Sequence, residues 1–280
     1  MPKVIDIEQA LDLIQSGDTI AFGGLGLTGY PEYVAANLER RFLSKKAPKD
    51  LTVIGASGQG DRKGRGADHF AHPGMVRKTI MGHFRASPVF SKMITSEEIE
   101  AYSLPQGILL QLYRASSAGQ PGVLSKVGLG TYMDPRFGGG RVNEKAKGQV
   151  ATLMHINGEE YLFYPVNPIH VAVIRGTTAD EDGNITIERE ALKLEIMELA
   201  LAARAAGGKV IAQVEKVVET GSLKAAGIAV PSIFVDAVVV SPQEDKYHWQ
   251  TLWQPYSPLF SGEAKGPVER TPLPLDIVKV

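Results

Sequence analysis

The 280-residue chain contains no cysteine. That excludes disulfides, thiolate nucleophiles and Cys-ligated zinc, and it agrees with a cytosolic setting. Charge of one sign is also missing. Thirty basic and 31 acidic side chains leave a net charge of −1. No electrostatic pull toward nucleic acid or an anionic membrane surface is expected. No apolar run is long enough to span a bilayer. The opening Met-Pro-Lys-Val-Ile-Asp lacks the basic-then-apolar order of a signal peptide, so the expectation is a cytoplasmic protein. A Gly-x-Ser-x-Gly elbow and a P-loop are lacking, which argues against a hydrolase triad and a P-loop nucleotide site. There is no internal repeat and no low-complexity tract. With 44% apolar and 22% charged residues, the composition suits a globular protein with a substantial core. We read residues 1–280 as one domain, with 241–280, rich in Pro and aromatics, as a partner-facing tail.

What is present is a recurring rhythm of strand, small-residue loop and helix. Asp6 and Gln9 form a capping box for a helix carrying Ile7, Leu11 and Ile14 and ending at Gly17. Thr19-Ile20-Ala21-Phe22 reads as a buried strand. Four glycines then fall within seven positions, at Gly23, Gly24, Gly26 and Gly29, before a helix over 31–44 with proline in its first turn. Such a loop is either a tight connection or a ligand loop at a helix N-terminus, suited to an anion or polarised acyl group. A second strand over 51–56 runs into Ser57-Gly58-Gln59-Gly60. Further strands are expected at 78–82 and 99–103, and Pro105-Gln106-Gly107 opens another helix. This pattern predicts an α/β fold, an open and mostly parallel sheet flanked by helices, with function in the loops at the strand C-termini. Residues 119–143 form a long irregular stretch. A hairpin follows over 149–164 with its turn at Asn157-Gly158. Asp180–Asn184 reads as a turn without EF-hand spacing. A helix is expected over 187–206, with Leu192, Ile196, Leu199 and Ala203 on its buried side, then strands at 209–214 and 234–240.

Several side chains invite chemistry. His69 and His72, three apart, would need a third ligand to hold a metal, and an ordinary pair of histidines is the stronger reading. Arg62, Lys63 and Arg65 either meet an anion or form an exposed basic loop. Lys126 is a solvated or phosphate-facing lysine unless strongly desolvated. Gln106, in the first turn of a helix, either supports a carbonyl oxygen as it gains charge or is a plain helix-start residue.

Taken together the motifs resemble the α half of class I coenzyme A transferases, especially the propionate and short-chain acyl-CoA:acetate/3-ketoacid type. The first signature reads Ser16-Gly17-Asp18-Thr19-Ile20-Ala21-Phe22-Gly23-Gly24-Leu25-Gly26-Leu27-Thr28-Gly29-Tyr30-Pro31, with Ser16 for Asp/Asn and Leu25 for Phe as departures. The likeness continues through Ala56–Asp61, Gly64-Arg65-Gly66 and Leu104-Pro105-Gln106-Gly107. It is strongest over Gly122–Arg136, and resumes at Glu188–Ala191, Gly207–Val210, His248–Thr251 and Phe260–Glu263.

The resemblance implies a fold shared with ribose-5-phosphate isomerase and glucosamine-6-phosphate deaminase. It implies ping-pong exchange between an acyl-CoA and a small carboxylic acid through a glutamyl-CoA thioester, with no cofactor and no metal; coenzyme A is a substrate. The glutamate of such enzymes lies in a β half, in a Glu-Ser/Asn-Gly setting that does not occur here, so a β partner subunit is expected to supply it. Glu263 is the rival within this chain. By carry-over, Gln106 positions the acyl carbonyl. Gly23, Gly24, Leu25, Gly26 and Gly29, with Ser57, Gly58 and Gln59, border the acyl and thioester end. Lys126, Gly128, Gly130 and Thr131 shape the same cleft. The alternatives are a CoA-ester hydrolase subunit, an isomerase, or a non-catalytic ligand-binding module on a related fold.

Overall fold

A computed structural model describes residues 3–242, 247–251, 258, 259, 262 and 264. In chain order the elements are α1 (Ile7–Leu11), β1 (Thr19–Phe22), α2 (Glu32–Lys45), β2 (Leu51–Gly55), β3 (Val76–Met81), α3 (Pro88–Thr95), β4 (Glu100–Ser103), α4 (Gln106–Ser117), β5 (Gly122–Ser125), β6 (Thr152–Ile156), β7 (Glu159–Pro165), β8 (Val171–Arg175), β9 (Thr178–Asp180), β10 (Ile185–Thr186), α5 (Ile196–Ala205), β11 (Lys209–Val214), β12 (Lys216–Val218), β13 (Ile228–Val230) and β14 (Ala237–Val240). Seven of the strands form one sheet in the order β14-β11-β8-β1-β2-β3-β4. Every pairing in it is parallel.

The central strands read as apolar runs because both faces are covered. Ile20 and Phe22 point into a core shared with Leu11, Val34, Leu38, Phe42 and Phe90, under α1, α2 and α3. Ala21, between them, points into the other core with Ile108, Leu112, Leu199 and Ala203, under α4 and α5. The chain winds outward from β1 through β2, β3 and β4, then returns to β8 on the other side of β1 and winds out through β11 and β14. The crevice outside the carboxyl ends of β1 and β8 is therefore the topological switch point, where open α/β sheets bind ligands. Two small sheets, β12-β9-β10-β13 and β5-β7-β6, complete the architecture.

The capping box is present: the Gln9 amide donates to Asp6 at 2.8 Å and the Asp6 amide to Gln9 at 3.2 Å. The helix it starts ends earlier than expected, at Leu11, although Ile14 is still buried. The β6–β7 turn falls at Asn157 and Gly158, both at positive φ as a tight two-residue hairpin requires. The expected helix over 187–206 is corrected to α5 alone. Leu194 has φ +50°, and the backbone before it is drawn into side-chain bonds: the Arg189 amide donates to Thr177 and the Ala191 amide to Gln250. Leu192 is accordingly exposed rather than buried. The strand expected from residue 234 begins at Ala237, after a 3₁₀ turn over Ser232–Phe234. Helix α3 and strands β5, β8, β9, β10, β12 and β13 escaped the sequence reading, β5 within the stretch expected to be irregular. Most of the tail expected over 241–280, with Glu263, lies outside the described residues.

Candidate functional site

The glycine loop after β1 is held from three sides. Within it, Leu25 and Thr28 exchange backbone hydrogen bonds of 2.9 and 3.0 Å. Gly24, at φ +119°, lies so close to Tyr30 that a Cβ there would stand 2.9 Å from the Tyr30 backbone. From β2 comes the second small-residue loop. The Gly26 amide donates to Gly58 O (2.9 Å), the Gly60 amide donates to Gly26 O (3.0 Å), and the buried Gln59 amide reaches Phe22 O at 2.6 Å. From β8 comes Arg175, 1% exposed. Its guanidinium donates to Glu190 at 3.0 and 2.6 Å, to Leu27 O at 3.3 Å, to Tyr30 O at 3.0 Å and to Trp249 O at 2.9 Å. Those five bonds use all five guanidinium donors. Burial pushes the Glu190 carboxyl up, but the Arg175 charge and hydrogen bonds, with His248 3.8 Å away, together outweigh it and hold the group at about 2.

The N-terminus of α2 is not open to an anion, contrary to one reading of the loop. Gln213 Oε1, at the carboxyl end of β11, accepts from the Tyr33 amide (2.9 Å) and the Val34 amide (3.3 Å). Glu32 supplies a buried acidic side chain in the same first turn. It accepts from the Gly66 amide at 3.0 Å and faces His69 Nε2 at 2.7 Å. His69 Nδ1 meets Glu39 at 2.6 Å, and so does His72 Nε2. The two histidines are thus partnered by carboxylates of α2, which nothing in their own spacing indicated.

Above the interlocked loops lies a cleft of about 390 Å³. One wall is Leu25, Gly26, Leu27 and Thr28, and the floor is Ser57, Gly58 and Gly60. The far side is Arg62, His83, Arg85 and Ala86, with Thr251 closing the rim. Ser57 is 2% exposed, and its Oγ has no hydrogen-bond partner among the described residues. The His83 ring lies directly on Gly58, where a Cβ would stand 2.0 Å from it. No carboxylate lines this cleft among the described residues.

Gln106 does not line it. It is the exposed first residue of α4 and borders a smaller depression of about 130 Å³ with Leu110, Arg114, Leu194, Glu195 and Glu198. The two depressions share the glycine loop as a partition. Glu195 Oε1 accepts from the Gly24 amide at 3.3 Å, while Leu25 and Gly26 face the larger cleft. Burial raises the Glu195 carboxyl above its ordinary value.

Of the residues singled out from sequence, Leu25, Gly26, Ser57 and Gly58 meet in the larger cleft. Gly23 and Gly29 pack inward, Gly23 against Ile196 and Leu199 and Gly29 against Leu194. Gln59 ties the loops together from beneath. Lys126, Gly128, Gly130 and Thr131 are not brought to either depression. They follow β5. Lys126 pairs there with Glu159 at 3.0 Å, the Gly130 amide donates to Asp134, and Thr131 bonds back to Gly128. The sequence reading missed Arg175 and Gln213; the available signal was a polar residue at or next to the carboxyl end of a buried apolar run, in Val171–Arg175 and in residues 210–214. Among the described residues no helix is long and apolar enough to cross a membrane, and no group of three or more His, Asp or Glu is placed to hold a metal ion.

Residues 4–241 match the family described as Coenzyme A transferase. The chain is similar to a caffeate CoA-transferase of Acetobacterium woodii, 38% identical over all of this chain and 53% of that protein. It is also similar to one of the subunits of a succinyl-CoA:3-ketoacid coenzyme A transferase from Helicobacter pylori, 29% identical over 88% of this chain and 95% of that protein. Among solved structures, the acyl-CoA transferase YdiF of Escherichia coli O157:H7 superposes with a TM-score of 0.90 at 32% identity, over 98% of this chain and 52% of that one. A structure of the same enzyme described as a thioester complex with CoA gives a TM-score of 0.88 at 32% identity, over 95% of this chain and 54% of that one. The chain thus spans about half the length of the first curated relatives it matches.

Proposed function

This chain belongs to the coenzyme A transferase family, and from that premise we propose that it is the α half of a short-chain acyl-CoA:carboxylate CoA-transferase whose nucleophilic glutamate comes from a complementary β half. The observation that carries this reading is the make-up of the larger cleft. It offers glycine turns, a buried hydroxyl, apolar wall and cations, but no carboxylate among the described residues. A site of that kind binds and orients an acyl thioester while the attacking group arrives from outside. The glutamate carboxylate attacks the thioester carbonyl, the C–S bond breaks, and CoA thiolate leaves an acyl-glutamyl anhydride. The thiolate then attacks the glutamyl carbonyl, releasing the acyl group as a carboxylate and leaving glutamyl-CoA. A second acid, such as acetate, takes the CoA by the reverse steps. Gln106, one loop away across Gly24, supports the acyl carbonyl as it gains negative charge once the β half closes over the partition.

The test is exchange of CoA from acetyl-, propionyl- and acetoacetyl-CoA to labelled acetate, with the full chain alone and with the complementary half of a close relative. The expected result is transfer only in the complemented sample, with mass spectrometry finding the CoA adduct on the added half. An adduct on any acidic side chain of these 280 residues would overturn the reading. Release of free CoA without an acceptor acid would instead indicate a hydrolase. In the active complex, Gln106→Ala should lower kcat by about a hundredfold, the usual worth of one oxyanion donor; a change under threefold would leave Gln106 as a helix-start residue.

A further inference from the structure

The far side of the larger cleft carries a feature that acyl binding does not use. Arg62 and Arg85 come from two successive loops that are bonded together: the Arg62 amide donates to Ala86 O at 2.8 Å. Their neighbour Arg65 is neutralised by Asp61 at 2.7 Å and stacks on Trp249. Arg62 and Arg85 pair with no carboxylate among the described residues, and both side chains are exposed at the cleft. Arg62 is also held at φ +65°, a conformation that costs a non-glycine residue energy and that persists where surroundings impose it, often at ligand sites. Two guanidinium groups that line one cleft without a carboxylate partner can together grip the oxygens of a phosphate or carboxylate. A second observation concerns the same cleft: Ser57, which lines it, is 2% exposed and keeps a buried hydroxyl without a partner among the described residues.

We propose that Arg62 and Arg85 clamp an oxyanion carried by one of the two substrates, a phosphate of the coenzyme or the carboxylate of the acid, while Ser57 hydrogen-bonds the polar group seated on the cleft floor. This rests on the transferase reading above and assigns that cleft its charge selectivity. The clamp holds substrate in the ground state and the transition state alike, so its removal raises KM with little change in kcat.

The experiment compares the complemented enzyme carrying Arg62→Gln and Arg85→Gln together with the parent and with Lys92→Gln, an exposed lysine of α3 that does not line the cleft. KM is measured for acyl-CoA, for the matching acyl-pantetheine thioester, which has no phosphate, and for the acid. The double variant is expected to raise one KM by about tenfold or more, the worth of a single charge-assisted hydrogen bond, with kcat within threefold. A rise for acyl-CoA that disappears with acyl-pantetheine identifies the phosphate as the clamped group. A rise for the acid alone identifies the carboxylate. If all three KM values stay within twofold of the parent, as for Lys92→Gln, the clamp is refuted while the transferase reading stands. If the complemented parent shows no transfer at all, the transferase reading fails. The clamp is then judged by calorimetric titration of the full chain with coenzyme A, inorganic pyrophosphate and acetate: weaker binding of one of them by the double variant supports it, and isotherms identical to the parent's refute it.

Discussion

Replacing Arg175 by Met tests whether the glycine loop depends on one buried cation. The guanidinium is 1% exposed and donates five hydrogen bonds, two to Glu190 and three to backbone carbonyls of Leu27, Tyr30 and Trp249. Methionine fills much of the same volume, so packing loss is small and the effect is electrostatic. Glu190 would be left as a buried carboxylate without its counter-charge, and breaking one side of such a pair costs about 3–5 kcal/mol. The orphaned carbonyls add to this, and water reaching the loop offsets part of it. We expect Arg175→Met to lose about 4 kcal/mol, a large share of the roughly 5–15 kcal/mol by which a domain is stable. The sign with pH follows from Glu190. Its depressed value stabilises the fold above the ordinary carboxylate range, and that contribution is lost as pH falls through about 2. Without Arg175 the carboxyl takes up a proton nearer neutrality, so the variant should lose less stability at pH 5 than at pH 8. Urea unfolding followed by circular dichroism measures both, and a double-mutant cycle with Glu190→Gln isolates the pair. The double variant should be more stable than Arg175→Met alone, because no unpaired charge remains buried. A loss under 1 kcal/mol for Arg175→Met, or costs of the two single changes that simply add, would refute the reasoning.

His69 gives a second pH signature. Burial lowers its pKa, but hydrogen bonds to Glu32 and Glu39 outweigh this and raise it to about 9. The protonated ring therefore contributes on the order of 3 kcal/mol, fully present below its unfolded value near 6.5 and lost as pH rises through about 9. Unfolding free energy should fall between pH 7 and pH 10 in the parent and fall distinctly less in His69→Gln; parallel curves would contradict this. Two glycines should respond in opposite ways to alanine. Gly24→Ala meets the Tyr30 backbone at 2.9 Å from φ +119° and should cost more than about 2 kcal/mol and distort the cleft wall. Gly107→Ala meets nothing within 4 Å in the first turn of α4 and should stabilise by about 0.5–1 kcal/mol. Thermal melts of the two variants decide it.

Local signals were legible in the chain itself. The alternation of apolar strands with glycine turns and helices indicated a parallel α/β sheet. The Asp6–Gln9 box, the Asn157-Gly158 turn and the 31–44 helix were placed to within a few residues, because caps, turns and periodicity depend on neighbours in sequence. The order of motifs from Ser16 to Glu263 indicated the coenzyme A transferase family. Tertiary structure alone decided which loops meet. That β8 lies beside β1 brings Arg175 under the glycine loop, and that β11 follows brings Gln213 onto the N-terminus of α2. The same placement leaves Lys126 just after β5, paired with Glu159 and outside the cleft lining, and brings Arg85 and Arg62 to one cleft. These are contacts between residues far apart in the chain, fixed by burying two faces of one sheet at once, and no local pattern in the sequence encodes which strand becomes the neighbour of which.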